Sequence, residues 1–393
     1  MIEGVTVRQA DAGDAVGGVL PRWVALPESV EEVAAVLRAC AGRDLAVVPA
    51  GGGTKLHWGP PPERCDVLLD LCCLNEILEH AAGDLVVRAQ AGVTMGALAA
   101  ALAGEGQELA VDVPFPEGAT VGGTLATATA GPRAFRYGTP RDLLIGVTVV
   151  LPDGTVARSG GKVVKNVAGY DLGKLFTGSY GTLGVIAEAT FRLHPLPAAR
   201  RWVRAEVDAA DLPAIAAALA ASQAEPSAAE VDRPEPGARP VLAVLAEGAA
   251  AESRAAELRE LVGGGEISDA PPPWWGLISG DEVLVEVRFP ATGLAAVLEA
   301  AERSGLALRG SVLSGRVLLE SPGRDADEPA LAGTVAELRR RVEAAGGRVN
   351  VLAAPHTGLD RWGRVSALPL MRRVKERFDP GRRMSPGRFV GGI

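Results

Sequence analysis

Glycine placement constrains this chain more than any other feature. Glycines gather at four places in the N-terminal half. The first is Ala50-Gly51-Gly52-Gly53-Thr54-Lys55, which follows a buried-type strand over 45–49. Successive residues without Cβ let backbone N–H groups turn toward one point, an anion nest suited to a pyrophosphate. Thr54 adds a hydroxyl donor. A glycine triplet taken alone is equally a tight loop. Two standard phosphate signatures do not apply: G-x-G-x-x-G would need glycine where Leu56 stands, and G-x-x-x-x-G-K-[ST] does not occur.

The second cluster is Pro114-Phe115-Pro116-Glu117-Gly118-Ala119-Thr120-Val121-Gly122-Gly123-Thr124-Leu125-Ala126-Thr127. Thr120 stands where a helix begins, with Gly122 and Gly123 in its first turn. A helix start stripped of side chains is a second place for a phosphate to approach, or a helix packed closely on a sheet. The third cluster runs from Ala130-Gly131-Pro132-Arg133 through Arg136-Tyr137-Gly138 to Asp142 and adds cations. The fourth, Gly178-Ser179-Tyr180-Gly181-Thr182-Leu183-Gly184-Val185-Ile186, leads into a buried strand, where a flat ring can lie against bare backbone.

Around these clusters, patterns specify the elements. Strands are predicted over 22–27, 45–49, 67–71, 85–90 and 184–193. Ser29 with Glu32 makes a capping box for a helix whose Val30, Val33, Leu37 and Cys40 share one face, and Gly42 ends it. Thr94 caps a helix over 95–103, and a third helix of small residues is expected over 120–130. Asp153-Gly154 is a strong turn signal between strands 145–151 and 155–159. Adjacent Cys72 and Cys73 read as strand residues facing opposite ways. His80 falls in a turn by composition. Strands and helices alternate, but hairpins interrupt them, so the class is α+β.

After Pro195 and Pro197 the composition becomes alanine-rich. Two β-α-β-β-α-β units follow, over about 202–264 and 282–352, separated by Asp269-Ala270-Pro271-Pro272-Pro273-Trp274-Trp275. Such units resemble ferredoxin-like folds.

Length and charge bound the rest. The 393 residues suggest two or three domains. With 40 Lys+Arg against 48 Asp+Glu the net charge is −8, which argues against nucleic acid or an anionic bilayer as the main partner. No apolar run approaches the ~18 residues that span a bilayer, and the first residues lack a signal-peptide core, so a cytoplasmic protein is expected. The four cysteines form no C-x-x-C pair, and four histidines make a multi-histidine metal site hard to assemble.

The four glycine clusters, in this order and at these separations, resemble the PCMH-type FAD-binding domain of the vanillyl-alcohol oxidase superfamily. Within it, the stretches from Gly51 to Leu56, Ala130 to Arg133, Lys165-Asn166-Val167-Ala168-Gly169-Tyr170-Asp171-Leu172 and Gly178 to Val185 are similar to the FAD-binding (E) subunits of bacterial glycolate oxidases. The resemblance covers about 20–195 and resumes from Asp379 to Arg388. It implies a PCMH-type domain of two α/β subdomains over 1–197, a ferredoxin-like α/β cap over 198–365, and a segment, 366–393, that returns to the first domain. The implied cofactor is FAD. Ala50, Gly51, Gly52, Gly53, Thr54 and Lys55 would hold its pyrophosphate. Pro116, Thr120, Gly122 and Gly123 would line the route to the flavin; Gly131, Arg136 and Gly138 would lie beside the flavin and ribityl chain. Gly184, Val185 and Ile186 would pass the adenine, and Thr127 and Gly181 complete the cofactor-binding set.

The chain also departs from its relatives. Many of them tether the flavin through a histidine just after the glycine loop, whereas Thr54-Lys55 stand here, so the FAD is expected to be non-covalent. Relatives that oxidise 2-hydroxy acids carry a histidine-rich metal site in the C-terminal half, and this chain has only His356 after residue 200; no metal is expected. Lys165, Tyr170 and His356 are the candidate catalytic residues, with Asp171 beside them, and each has an ordinary structural reading too. Three functions follow. The first is an FAD-binding subunit of a glycolate oxidase complex, with a second flavoprotein subunit and an iron–sulfur subunit as partners and a small 2-hydroxy acid as substrate. The others are a self-sufficient, D-lactate-like dehydrogenase and a non-redox flavin-binding subunit. Any membrane association would run through partner subunits.

Overall fold

The computed structural model describes residues 4–161, 170–278, 283–321 and 328–393. They form two compact units. The first comprises Met1–Thr129, Thr139–Leu196 and Arg364–Ile393; the second comprises Ala130–Gly138 and Pro197–Gly363.

Two larger sheets, with a two-stranded pair of Gln107–Glu108 and His194–Pro195, build the first unit. One has four strands in the order Thr6–Gln9, Trp23–Leu26, Val67–Asp70, Val47–Ala50. Val67–Asp70 runs parallel to both of its neighbours, which helix Val30–Ala41 makes possible as a crossover. Ser29 accepts from the Glu32 N–H at 3.2 Å. The Glu32 carboxylate reaches the Glu28 N–H instead of that of Ser29, so the expected capping box is shifted by one residue. Val30, Val33, Val36, Leu37 and Cys40 are buried against the sheet. The C-terminal segment extends this sheet beyond Val47–Ala50: the Val47 N–H donates to Arg383 O and the Ser385 N–H to Val47 O, at 2.8 and 2.9 Å.

The second sheet is antiparallel, ordered Ile77–Ala81, Val86–Gln90, Val185–Arg192, Leu144–Val150, Val156–Gly160. Helices Met95–Ala103 and Val121–Thr127, capped by Thr94 and Thr120, share its core of Val87, Leu98, Leu102, Leu125, Val149 and Phe176. Phe378 of helix Leu368–Phe378 meets Phe176 edge-on at 5.8 Å.

Two sequence expectations fail here, and two strands lie outside the predicted set. Thr6–Gln9 and Ile77–Ala81 are strands without a strong pattern, because both lie at sheet edges and expose or half-expose every side chain. Cys72 and Cys73 sit in a turn, where the Cys72 N–H is caught by Asp70 at 3.0 Å. His80 belongs to a strand, and its Nε2 meets Gln107 Oε1 at 3.0 Å.

The second unit has two βαββαβ halves, as the pattern predicts, and they merge into one eight-stranded antiparallel sheet. The order is Glu266–Ser268, Arg200–Glu206, Val241–Glu247, Ala228–Arg233, then Ala307–Ser311, Arg316–Glu320, Leu284–Arg288, Arg348–Ala353. The halves join where Glu230 pairs with Ser311. One face packs on the helices through Val203, Val231, Leu242, Val244, Val285, Val287 and Val317. Alternate residues on the other face are buried and charged: Glu230, Asp232, Glu247, Glu286 and Glu320. Arg309 holds Asp232 at 2.8 Å, Arg316 holds Glu286 at 2.6 Å, and Arg200 holds Glu247 at 2.8 Å. Burial alone would raise the Glu286 carboxyl, but Arg316 and Arg288 bring it down to about 2.

Candidate functional site

Strand Val47–Ala50 delivers the glycine loop to a cleft in the first unit. Helix Val121–Thr127 and the turn 178–184 form its other walls. Ala50, Gly51, Gly52, Gly53, Thr54 and Lys55 line it, together with Thr120, Gly122, Gly123, Thr127, Gly181, Gly184 and Ile186. Three of the four glycine clusters thus meet in one place.

The glycine loop is held open as a donor surface. The backbone N–H groups of Gly51, Gly52, Gly53, Thr54 and Lys55 donate to no other described residue. Gly53 adopts φ +73°, the alternation that turns successive N–H groups to one side. The helix start behaves differently from the sequence expectation. Its N–H groups are already used: Val121 donates to Val93 O, Gly122 to Ala91 O at 2.8 Å, and Gly123 to Thr120 Oγ1 at 3.2 Å. Gly122 is required for packing, since a Cβ there would stand 2.8 Å from that of Ala91. The helix therefore offers a bare surface, and the loop offers the donors.

Lys55 supplies the charge. It is 7% exposed, and among the described residues its Nζ reaches only the Thr54 hydroxyl at 3.3 Å and no carboxylate lines the cleft. Burial pushes the ammonium down to about 8. A buried cation without a counter-charge is costly, and an anion entering the cleft would relieve it. Ser179 adds a buried hydroxyl whose oxygen has no hydrogen-bond partner among the described residues. Donors on every side and carboxylates on none fit a pyrophosphate.

Sequence reasoning missed two contributors. Arg388 enters the cleft from the C-terminal segment, with Nη2 donating to Leu56 O at 2.9 Å and Trp58 O at 2.6 Å. Tyr180 lines it and stacks on Phe389 at 5.6 Å. The repeated Pro-Gly-Arg at 380–382 and 386–388 was the available signal for Arg388. Lys375 anchors this segment: its buried Nζ donates to Thr182 O, Asp379 Oδ2 and Met384 O at 2.7, 2.7 and 2.9 Å.

Other expected residues lie elsewhere. Pro116 is exposed, and its carbonyl accepts from the Gly96 N–H. Val185 turns into the opposite core from Ile186. Gly131, Arg136 and Gly138 belong to the second unit, where Arg136 pairs with Glu225 and Tyr137 donates to Glu247 at 3.0 Å. Burial raises the Tyr137 phenol to about 12. Lys165 lies outside the described residues. Tyr170 is 93% exposed, and Asp171 caps helix Leu172–Phe176 by accepting from the Lys174 N–H. His356, in the second unit, faces Glu328 with Nδ1 3.9 Å from Oε2. Among the described residues no group of three or more His, Cys, Asp or Glu could hold a metal, and no helix is long and apolar enough to cross a membrane.

Residues 21–160 match the family model of an FAD binding domain. Over 194 residues the chain is 36% identical to glycolate oxidase subunit GlcD of Bacillus subtilis, covering 49% of this chain and 41% of that protein. It is 38% identical over 182 residues to the mitochondrial D-lactate dehydrogenase (cytochrome) 1 of Saccharomyces cerevisiae, covering 46% and 31%. A solved alkyldihydroxyacetonephosphate synthase matches with TM-score 0.70 at 18% identity, covering 94% of this chain and 77% of that one. At that identity the likeness concerns the fold. The chain spans less than half the length of the curated relatives it matches.

Proposed function

We propose, for a chain whose residues 21–160 are an FAD binding domain and whose cofactor is FAD, that it is a flavin-carrying subunit of an enzyme oxidising a small 2-hydroxy acid, with glycolate to glyoxylate as the leading reaction. Its partners would be a second flavoprotein subunit and an iron–sulfur subunit. The observation that carries the FAD assignment to particular residues is the row of unused N–H donors from Gly51 to Lys55 beside the Lys55 ammonium. These residues would take the pyrophosphate, with Thr54 and Ser179 donating hydroxyl hydrogen bonds and Arg388 fixing the loop through Leu56 and Trp58. Bound FAD supplies a two-electron acceptor; the protein's part is to orient it against bare backbone at Gly122, Gly123 and Gly184.

Similarity to a glycolate oxidase subunit and a D-lactate dehydrogenase supports the substrate class. The subunit reading rests on what the substrate would find. Oxidising a 2-hydroxy acid requires a base for the hydroxyl proton, best supplied near neutral pH. Tyr170 stands in solvent and His356 already faces Glu328.

Anaerobic reduction of the purified protein's flavin by glycolate and by D-lactate tests this, alone and with the partner subunits added. Slow or absent reduction alone, and rapid reduction in the complex, is expected. Turnover of ~1–1,000 per second by the single chain would favour the self-sufficient dehydrogenase. A flavin that stays oxidised throughout catalysis by the whole complex would favour the non-redox role.

A further inference from the structure

The C-terminal segment carries charge opposite to the rest of the chain. Between Arg364 and Ile393 stand eight Lys+Arg against two Asp+Glu, while the remaining residues hold 32 against 46. Lys375 and Asp379 are buried together and cancel, and Arg388 is buried at the cleft. Arg364, Arg372, Arg373, Arg377 and Arg382 are exposed and Arg383 is half-buried, with Glu376 the one carboxylate of the segment beside them.

Helix Leu368–Phe378 explains the grouping. At 3.6 residues per turn, Met371, Val374 and Phe378 share one stripe, and all are partly buried. The outward face is left with Arg372, Arg373, Glu376 and Arg377, and with Leu370, 54% exposed. The guanidinium groups of Arg364, Arg373, Arg377 and Arg383 donate to no described residue and pair with no described carboxylate. Arg372 and Arg382 reach only backbone, Gly391 O at 3.4 Å and Gly392 O at 2.7 Å. Glu63, close to Gly387 and Gly392, is a carboxylate that another element brings near the segment. Elsewhere on this chain some exposed arginines meet carboxylates, as Arg340 does Glu337 and Arg303 does Glu299, and Arg43 reaches only the Ala39 carbonyl.

We propose that this face docks an acidic protein surface. Its carboxylates would pair with Arg372, Arg373 and Arg377, and an apolar hollow would take Leu370. Arginine with a central apolar anchor is the composition of protein interfaces. An anionic bilayer fits less well. A helix lying in a membrane surface brings a broad apolar face to the lipid, whereas here that stripe is turned into the core. The strongly acidic remainder would also be drawn against negative lipid. The inference does not depend on the cofactor or the substrate.

The test uses the full chain with its flavin, and two probes: sodium poly-L-glutamate and phosphatidylcholine–phosphatidylserine vesicles. The variant is Arg372→Glu/Arg373→Glu/Arg377→Glu, compared with Arg204→Glu/Arg303→Glu/Arg340→Glu as a charge-matched control. Salt-sensitive binding of polyglutamate by the wild type and the control is expected, with at least a tenfold loss in the first variant and no vesicle binding. Equal polyglutamate binding by wild type and variant, no binding by the wild type, or sedimentation of the wild type with vesicles overturns the proposal. If the triple variant does not fold, Arg377→Gln, at an exposed position, is read for a smaller loss in the same direction.

Discussion

The carbonyl oxygen of Gly118 occupies the place where a side chain on Gly52 would begin. The glycine loop and the 114–120 segment are therefore in direct backbone contact. Gly52 serves this contact as well as any ligand.

That contact separates two glycines that the sequence treats alike. Gly52→Ala should destabilise the protein itself, by roughly 1–3 kcal/mol as overpacking does, besides weakening flavin binding. Gly123 faces the cleft, and a Cβ there meets only Thr120 Oγ1, at 3.2 Å. Gly123→Ala should leave the apoprotein as stable as before, or more stable by up to about 1 kcal/mol through helix propensity, while lowering FAD affinity. Thermal melts of the apoproteins with flavin fluorescence titrations check both. Equal melting temperatures for the two variants would remove the distinction.

Lys55 predicts a pH dependence. Its folded-state value, about 8, lies below the ordinary 10.5. The cost of burying the charge is therefore full below pH 8 and is relieved as pH rises from 8 toward 10.5, on the order of 3 kcal/mol. Apo Lys55→Met should be more stable than wild type at pH 7, with the gap closing by pH 10. FAD affinity should show the reverse: wild type binds more tightly at pH 7 than at pH 9.5, and Lys55→Met binds weakly at both. Denaturant melts and flavin titrations across this range decide it. A gap in stability that is constant with pH would mean Lys55 is not the titrating group.

The buried pair Lys375–Asp379 predicts a stability effect at a distance from the loop. Asp379 accepts from Lys375 Nζ and from the Met384 N–H, at 2.7 and 2.8 Å. Asp379→Ala leaves a buried ammonium short of its counter-charge and should cost roughly 3–5 kcal/mol. FAD affinity should fall with it, because the same segment carries Arg388. Urea denaturation compared with Lys375→Met/Asp379→Leu, which removes both charges, should show the double variant recovering most of the loss.

The flavin is predicted to leave with acid. Among the described residues no histidine or cysteine lines the cleft, and Tyr180 is stacked on Phe389. Trichloroacetic acid should give a colourless pellet and a yellow supernatant. Flavin fluorescence travelling with the denatured chain on a gel would show a covalent bond.

Local chemistry was legible in the sequence. Ser29, Thr94 and Thr120 cap their helices because a cap needs only a side-chain oxygen and an N–H three residues on. Asp153-Gly154 turns its hairpin for a similarly local reason. The strand ends placed the glycine loop, and the loop named its own donors. The alternating pattern after residue 200 specified two βαββαβ halves. What the sequence could not carry was anything set by a partner distant along the chain. The merger of the halves depends on Glu230 meeting Ser311 across the sheet. The N–H groups of Gly122 and Gly123 looked free, and only folding brought Ala91 O to the first of them. Arg388 reaches Leu56, 332 residues earlier. The resemblance sets Lys55 with the pyrophosphate, but only its burial, with no described carboxylate lining the cleft, makes it the cation there. Residue order determined which groups could donate, accept or carry charge. Tertiary packing decided which of them were left unsatisfied, because a hydrogen bond or an ion pair formed within the fold removes a group from what a ligand can use.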